Sequence, residues 1–251
     1  MDLGLTDRVF LVTGGGRGLG RGVADVLVAE GARVVLSGRT EETLAAAVGE
    51  LGDRAAYVVA DNADPEVPAR LIAAARERWG RLDGALVSVG GPPRGQVSQM
   101  TDEQWTTAFG SVFLGAVRIA REVAAELGEG GSIAFVLSTS VRAPIGEMAI
   151  SNGLRPGLAM VAKQLADELG PRGIRVNGLL PGRIRTERIV ELDEASGDPE
   201  AARISAEQSI PLGRAGEPSE FGRAAAFLLS PAASFISGAM LPVDGGLLRA
   251  L

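Results

Sequence analysis

The chain has 251 residues, 46% of them hydrophobic, and 25 basic against 31 acidic side chains give it a formal net charge of −6. That length suits one large α/β domain, and the acidic balance argues against nucleic acid or an anionic membrane as partner. Cysteine and histidine are both absent, which removes disulfides, thiolate nucleophiles, the usual neutral-pH acid/base and the commonest metal ligands, so no metal site is expected.

Met1-Asp2-Leu3-Gly4 lacks the basic flank and apolar core of a secretory signal, and no apolar run reaches membrane-spanning length. The expectation is a soluble, cytoplasmic protein. Apolar runs then alternate with helical patterns along the chain, as in a parallel sheet covered on both faces. Strands are predicted at Val9–Val12, Arg33–Ser37, Ala55–Ala60, Gly84–Ser88, Ser132–Ser138, Arg175–Leu180 and Met240–Val243. Helices are predicted near Gly18–Glu30, Glu41–Leu51, Pro65–Trp79, Asp102–Leu127, Ile150–Leu169 and Pro218–Leu229. Pro156 is better placed at the start of a helix than deep inside one, so the fifth helix is expected to begin near Arg155, with Ser151–Leu154 as a preceding loop. With no linker, repeat or low-complexity segment, residues 1–251 read as a single doubly wound domain. The polar stretch Thr186–Ser209 interrupts the alternation, either as a lid over the ligand crevice or as a surface insertion.

The first strand runs into Thr13-Gly14-Gly15-Gly16-Arg17-Gly18-Leu19-Gly20, which opens the first helix. A strand, a glycine turn and a helix N-terminus form either a plain tight turn or a cradle for a pyrophosphate, held by backbone N–H groups and the helix dipole. The βαβ context favours the cradle. An acidic residue at the end of the second strand would bind the adenosine ribose hydroxyls and select NAD. This sequence has Ser37-Gly38-Arg39-Thr40 instead. Arg39 and Arg17 are therefore candidates to pair with a 2′-phosphate, with Ser37 nearby, unless both arginines are solvated surface residues. The reading favours NADP over NAD.

The chain resembles the short-chain dehydrogenase/reductases, most of all their 3-oxoacyl-carrier-protein reductase branch. The matching residues are Thr13–Gly20, Asp61-Asn62 after the third strand, Gly170–Asn177, the turn Pro181-Gly182-Arg183-Ile184-Arg185-Thr186, and the tail Pro211–Arg214, Gly216, Pro218 and Val243–Gly246. The resemblance spans nearly the whole chain and implies a Rossmann fold of seven parallel strands in the order 3-2-1-4-5-6-7. It implies cofactor contacts at Gly14, Arg17, Gly18, Leu19, Gly20, Asp61, Asn62, Gly90, Arg155, Pro181, Gly182, Ile184 and Thr186. It also implies a homo-oligomer, commonly a tetramer, built on the helices at Asp102–Leu127 and Ile150–Leu169 and on the last strand.

At the catalytic positions the sequence departs from the family. The family uses a tyrosine acid/base, a lysine four residues later, a serine thirteen residues before the tyrosine, and a helix asparagine. Family spacing places these at Ser151, Arg155, Ser138 and Val112, so only the serine is kept. The usual Asn-Asn-Ala-Gly after the fourth strand is Ser88-Val89-Gly90-Gly91. Tyr57 is the only tyrosine and reads as a half-buried strand aromatic on the adenine side, and Lys163 is the only lysine. Candidate proton donors are then Ser138, Ser151, Asn152 and arginines, of which arginine does not give up its proton. Ser151 is either a functional residue or a plain loop or cap residue. Three readings follow: an NADP-dependent oxidoreductase acting on a small carbonyl or hydroxyl substrate with an altered acid/base; a catalytically silent NADP-binding sensor or partner subunit; and a non-redox dehydration or isomerisation using Glu147, Arg142 and Arg94.

Overall fold

The computed structural model describes residues 2–194 and 196–250. Seven strands form one parallel sheet in the order β3-β2-β1-β4-β5-β6-β7. They are β1 (Val9–Thr13), β2 (Arg33–Gly38), β3 (Ala55–Val59), β4 (Gly84–Val87), β5 (Ser132–Val136), β6 (Arg175–Pro181) and β7 (Met240–Val243). Crossover helices place α1 (Gly18–Ala29), α2 (Glu41–Leu51) and α9 (Pro218–Leu229) on one face. The other face carries α3 (Val67–Trp79), α5 (Gly115–Glu126) and α6 (Ala149–Leu169). Alternation along β1 divides the core: Val9 and Leu11 pack towards Leu71, Ile119 and Leu158, whereas Phe10 and Val12 pack towards Val23, Leu44 and Phe221. Burial on both faces explains why these strands read as continuous apolar runs.

The helix expected over 102–127 consists of α4 (Asp102–Ala108), a π-helical segment Phe109–Leu114, and α5. The widening shows in the Gly115 N–H, which donates to Gly110 O five residues back. Gly115 lies so close to the β3–α3 loop that a Cβ there would stand 2.2 Å from Asn62 O.

The expected start of the fifth helix near Arg155 is corrected. This helix, α6, begins at Ala149 and carries Pro156 in its interior, so Ser151–Leu154 are helical. An interior proline costs about 3 kcal/mol in a bare helix, and packing offsets it here. A Cβ on Gly153 would lie 2.8 Å from the Trp105 ring, and one on Gly157 would lie 3.2 Å from Phe113, so both helix faces are pressed together. Asn152 also clamps the preceding loop, accepting from Ile145 N at 3.1 Å and donating to Ile145 O at 2.8 Å.

Between β6 and α9, the 186–209 stretch folds into α7 (Glu187–Glu194) and α8 (Pro199–Gln208). Among the described residues, no helix is long and apolar enough to cross a membrane.

Candidate active site

The connections reverse direction between β1 and β4, and this opens a crevice at the carboxyl ends of the strands. A latch fixes its floor: Thr13 Oγ1 donates to Ser88 O at 2.6 Å and accepts from Ser88 N at 2.8 Å. The glycine turn lies above the latch. Gly14 and Gly18 adopt φ of 62° and 60°, and Gly15 N donates to Ser37 O at 2.9 Å. A Cβ on Gly20 would stand 2.2 Å from Gly14 O, so the turn closes only with glycine there. Leu19 packs into the α1-side core. Arg17, the N-cap of α1, makes no side-chain cap, and the first turn of α1 holds no acid. Its N–H groups are left for an anion, and these residues fit a dinucleotide pyrophosphate.

At the adenosine end, Arg39 is exposed just past β2, and Ser37 Oγ is buried without a partner. Asp61 Oδ1 accepts from Ala63 N at 2.9 Å, and Asn62 Nδ2 donates to Ser88 O at 3.4 Å. Arg17 pairs with Glu191 of α7 at 3.2 Å, with both side chains mostly exposed.

At the other end of the crevice, the residues that family spacing selects lie after β5 and on α6. Ser151 and Arg155 are one helical turn apart on α6, and both are buried. The hydroxyl brought to Ser151 belongs to Ser140: the two Oγ atoms are 3.4 Å apart and enclosed. Ser138 is the half-buried member of the cluster, its Oγ accepting from Ser140 N at 3.1 Å. The signal for Ser140 was the repeated hydroxyl of Ser138-Thr139-Ser140, which a fixed interval of thirteen passes over. Arg155 Nη1 donates to Val136 O at 2.8 Å. Burial, with the nearby charge of Arg188 adding to it, pushes the Arg155 guanidinium down to about 10. Val112 is buried with Ala108 and Ile150, so its position forms an apolar wall.

Tyr57 lies half-buried on the edge strand β3, four strands from β5, and its hydroxyl donates to Glu41 at 3.2 Å. That hydrogen bond to the Glu41 carboxylate raises the phenol above its ordinary range. Lys163 is exposed two turns beyond Arg155. The residues of the non-redox reading are engaged elsewhere: Glu147 pairs with Arg94 at 3.2 Å, and Arg142 donates to Met240 O at 3.2 Å.

The turn after β6 frames the far wall. Pro181 pairs with Val243, Gly182 N donates to Val243 O at 3.0 Å, and Ile184 is buried. Thr186 places its methyl 3.6 Å from the position of a Cβ on Gly18. Helix α7 then spans the crevice, touching the glycine turn through Arg17–Glu191 and the opposite loop through Arg188, whose Nη2 donates to Pro92 O at 3.0 Å. Gly90, by contrast, opens onto free space. Arg188 carries no motif and was not legible in the sequence.

Residues 14–248 match the family model described as Enoyl-(Acyl carrier protein) reductase. The chain is 38% identical to the A-factor type gamma-butyrolactone 1'-reductase (1S-forming) of Streptomyces virginiae, over 96% of each chain. It is 34% identical to the L-rhamnose 1-dehydrogenase (NAD(P)(+)) of Azotobacter vinelandii, over 97% of each. The structure of L-sorbose reductase from Gluconobacter frateurii, complexed with NADPH and L-sorbose, superposes with a TM-score of 0.93 over the full length of both chains at 29% identity. With the glycine turn, the strand order and the α6 site on one frame, the chain belongs to the short-chain dehydrogenase/reductase family.

Proposed function

We propose that the protein is an NADP-dependent oxidoreductase of small carbonyl or hydroxyl compounds whose active site works without the family tyrosine and lysine. The observation that carries this reading is the hydroxyl cluster after β5, in which the half-buried Ser138 accepts from Ser140 N at 3.1 Å and Ser140 Oγ lies 3.4 Å from Ser151 Oγ, on the same frame as an uncapped glycine turn. NADPH-bound and NAD(P)-named relatives support the cofactor class. The missing acid after β2 and the exposed Arg39 support the 2′-phosphate.

When bound, the nicotinamide supplies or accepts the hydride. The half-buried Ser138 hydroxyl orients the substrate oxygen, and the buried Ser140 and Ser151 hydroxyls fix the turn that presents it. Serine hydroxyls donate hydrogen bonds but are poor acids, so the proton reaches the substrate oxygen from water. Without a phenol, turnover is slow by the standards of the family. The similarity to 3-oxoacyl-carrier-protein reductases covers the cofactor motifs, the tail and Ser138, and stops at the tyrosine, lysine and asparagine positions.

A catalytically silent NADP-binding protein is the second reading, supported by the same lack of a tyrosine, histidine or cysteine at the site. In either case the unit is read as a homo-oligomer: Phe109, Leu114, Met160 and Leu241 leave apolar side chains exposed on the helices and strand that the resemblance assigns to contacts between copies. A single-chain mass in light scattering would remove that part.

Fluorescence titration of the nicotinamide tests the cofactor. NADPH is expected to bind at least about tenfold more tightly than NADH, with Arg39→Leu erasing most of the difference. Equal affinities in the unmodified protein would overturn the assignment.

A further inference from the structure

Helix α7 brings acidic side chains to the phosphate end of the crevice. Glu187 and Glu191 stand four residues apart on it, so both project from one side of the helix. Glu191 Oε1 accepts from Arg17 Nη1 at 3.2 Å, and Glu187 Oε2 lies 3.7 Å from the position of a Cβ on Gly18. Arg17 and Gly18 are the N-cap and first residue of α1, a helix with no side-chain cap and no acid in its first turn. The negative charge that α1 lacks locally is therefore supplied by α7, with Glu191 lying 174 residues further along the chain than Arg17.

Carboxylates placed there answer the same positive helix end and the same guanidinium that a diphosphate would. The two cannot share the turn, because like charges at that separation repel. The element that carries the acids is also loosely held. Helix α7 has no buried residue, whereas α1 buries Val23, Ala24 and Leu27. The other fastenings of α7 are polar, from Arg183 to Asp193 and from Arg188 Nη2 to Pro92 O at 3.0 Å. The Arg17 and Glu191 side chains are 61% and 59% exposed, and an ion pair so open to water is weak enough for a ligand to break. A helix without apolar anchorage lifts at low cost.

We propose that α7 is a self-inhibitory strap: in the empty protein Glu187 and Glu191 occupy the anion cradle of the glycine turn, and the dinucleotide enters by displacing them. This rests on the cofactor reading and adds a competitor carried by the chain itself. The affinity measured for the dinucleotide is then the intrinsic affinity reduced by the fraction of molecules in which the strap has lifted.

NADPH affinity is measured by nicotinamide fluorescence at about 0.15 M salt, where charges more than about 8 Å away are largely screened. Glu191→Gln is expected to bind NADPH about threefold more tightly than the unmodified protein, and the double variant Glu187→Gln/Glu191→Gln about tenfold more tightly. Glu200→Gln, which removes the same charge from the exposed start of α8, is expected to stay within about 1.5-fold. Hydrogen exchange supplies a readout that a change of charge alone does not move. Amides of residues 187–194 are expected to exchange faster in the NADPH-saturated protein than in the empty one, and faster in the double variant before any ligand is added. Unchanged or weaker NADPH binding by the double variant would overturn the proposal. So would an equal gain in Glu200→Gln, or slower exchange of α7 on NADPH binding, since the helix would then close on the cofactor rather than give way to it. NADPH binding by none of the proteins would overturn the cofactor reading and the strap together, whereas equal binding by all of them would overturn the strap alone.

Discussion

Arg155 shows how one residue changes the logic of the site. A lysine ammonium is compact and mobile, whereas the guanidinium is planar and is held here against Val136 O in a nearly closed space. Its folded pKa lies below its unfolded value, so the charged form is disfavoured by folding, and that penalty applies at every pH below about 10. Arg155→Met is therefore expected to leave stability unchanged or raise it, by up to about 2 kcal/mol. Thermal unfolding at neutral pH checks this, and a loss of more than about 1 kcal/mol would show that the Val136 hydrogen bond outweighs the burial penalty. The sequence carried the departure itself: a chain with one tyrosine, one lysine and no histidine leaves few ways to move a proton. It did not carry the partner of Ser151. The loop from Ser140 to Ser151 is held by Asn152 on Ile145 and by the Gly95–Met148 bridge, and this path sets the Ser140 hydroxyl against Ser151.

Elements were legible where burial and glycine sterics set the pattern. The strands appeared as apolar runs because both sheet faces are covered, and the glycine turn appeared because the contact of Gly20 with Gly14 O and the positive φ at Gly14 and Gly18 admit little else. Tertiary contacts moved the start of one helix and widened another. Local preference places Pro156 at a helix start, but Gly153 against Trp105 and Gly157 against Phe113 carry α6 back to Ala149. The π-helical Phe109–Leu114 follows from the approach of Gly115 to Asn62, a contact between segments more than fifty residues apart. Both events shape the site, since they set Val112 and Ile150 as its apolar wall and turn Ser151 inward with Arg155.

Across the whole molecule, the proposed reading joins, in one crevice, a glycine turn that fits a dinucleotide to a hydroxyl cluster without tyrosine or lysine. The position of α7 over both ends depends on side-chain reach, through Arg17–Glu191 on one side and Arg188–Pro92 on the other, which no local pattern encodes. The proposed oxidoreductase completes hydride transfer without a tyrosine or lysine at its site. The most direct measurement is mass spectrometry of reactions containing NADPH deuterated at the reactive nicotinamide carbon and a panel of small ketones and oxo acids. Deuterium is expected in the carbinol carbon of at least one product, with the yield falling at least about tenfold in Ser138→Ala and Ser151→Ala proteins that still bind NADPH. Stoichiometric NADPH binding with no deuterium in any product would contradict it and leave a dinucleotide-binding protein without redox chemistry.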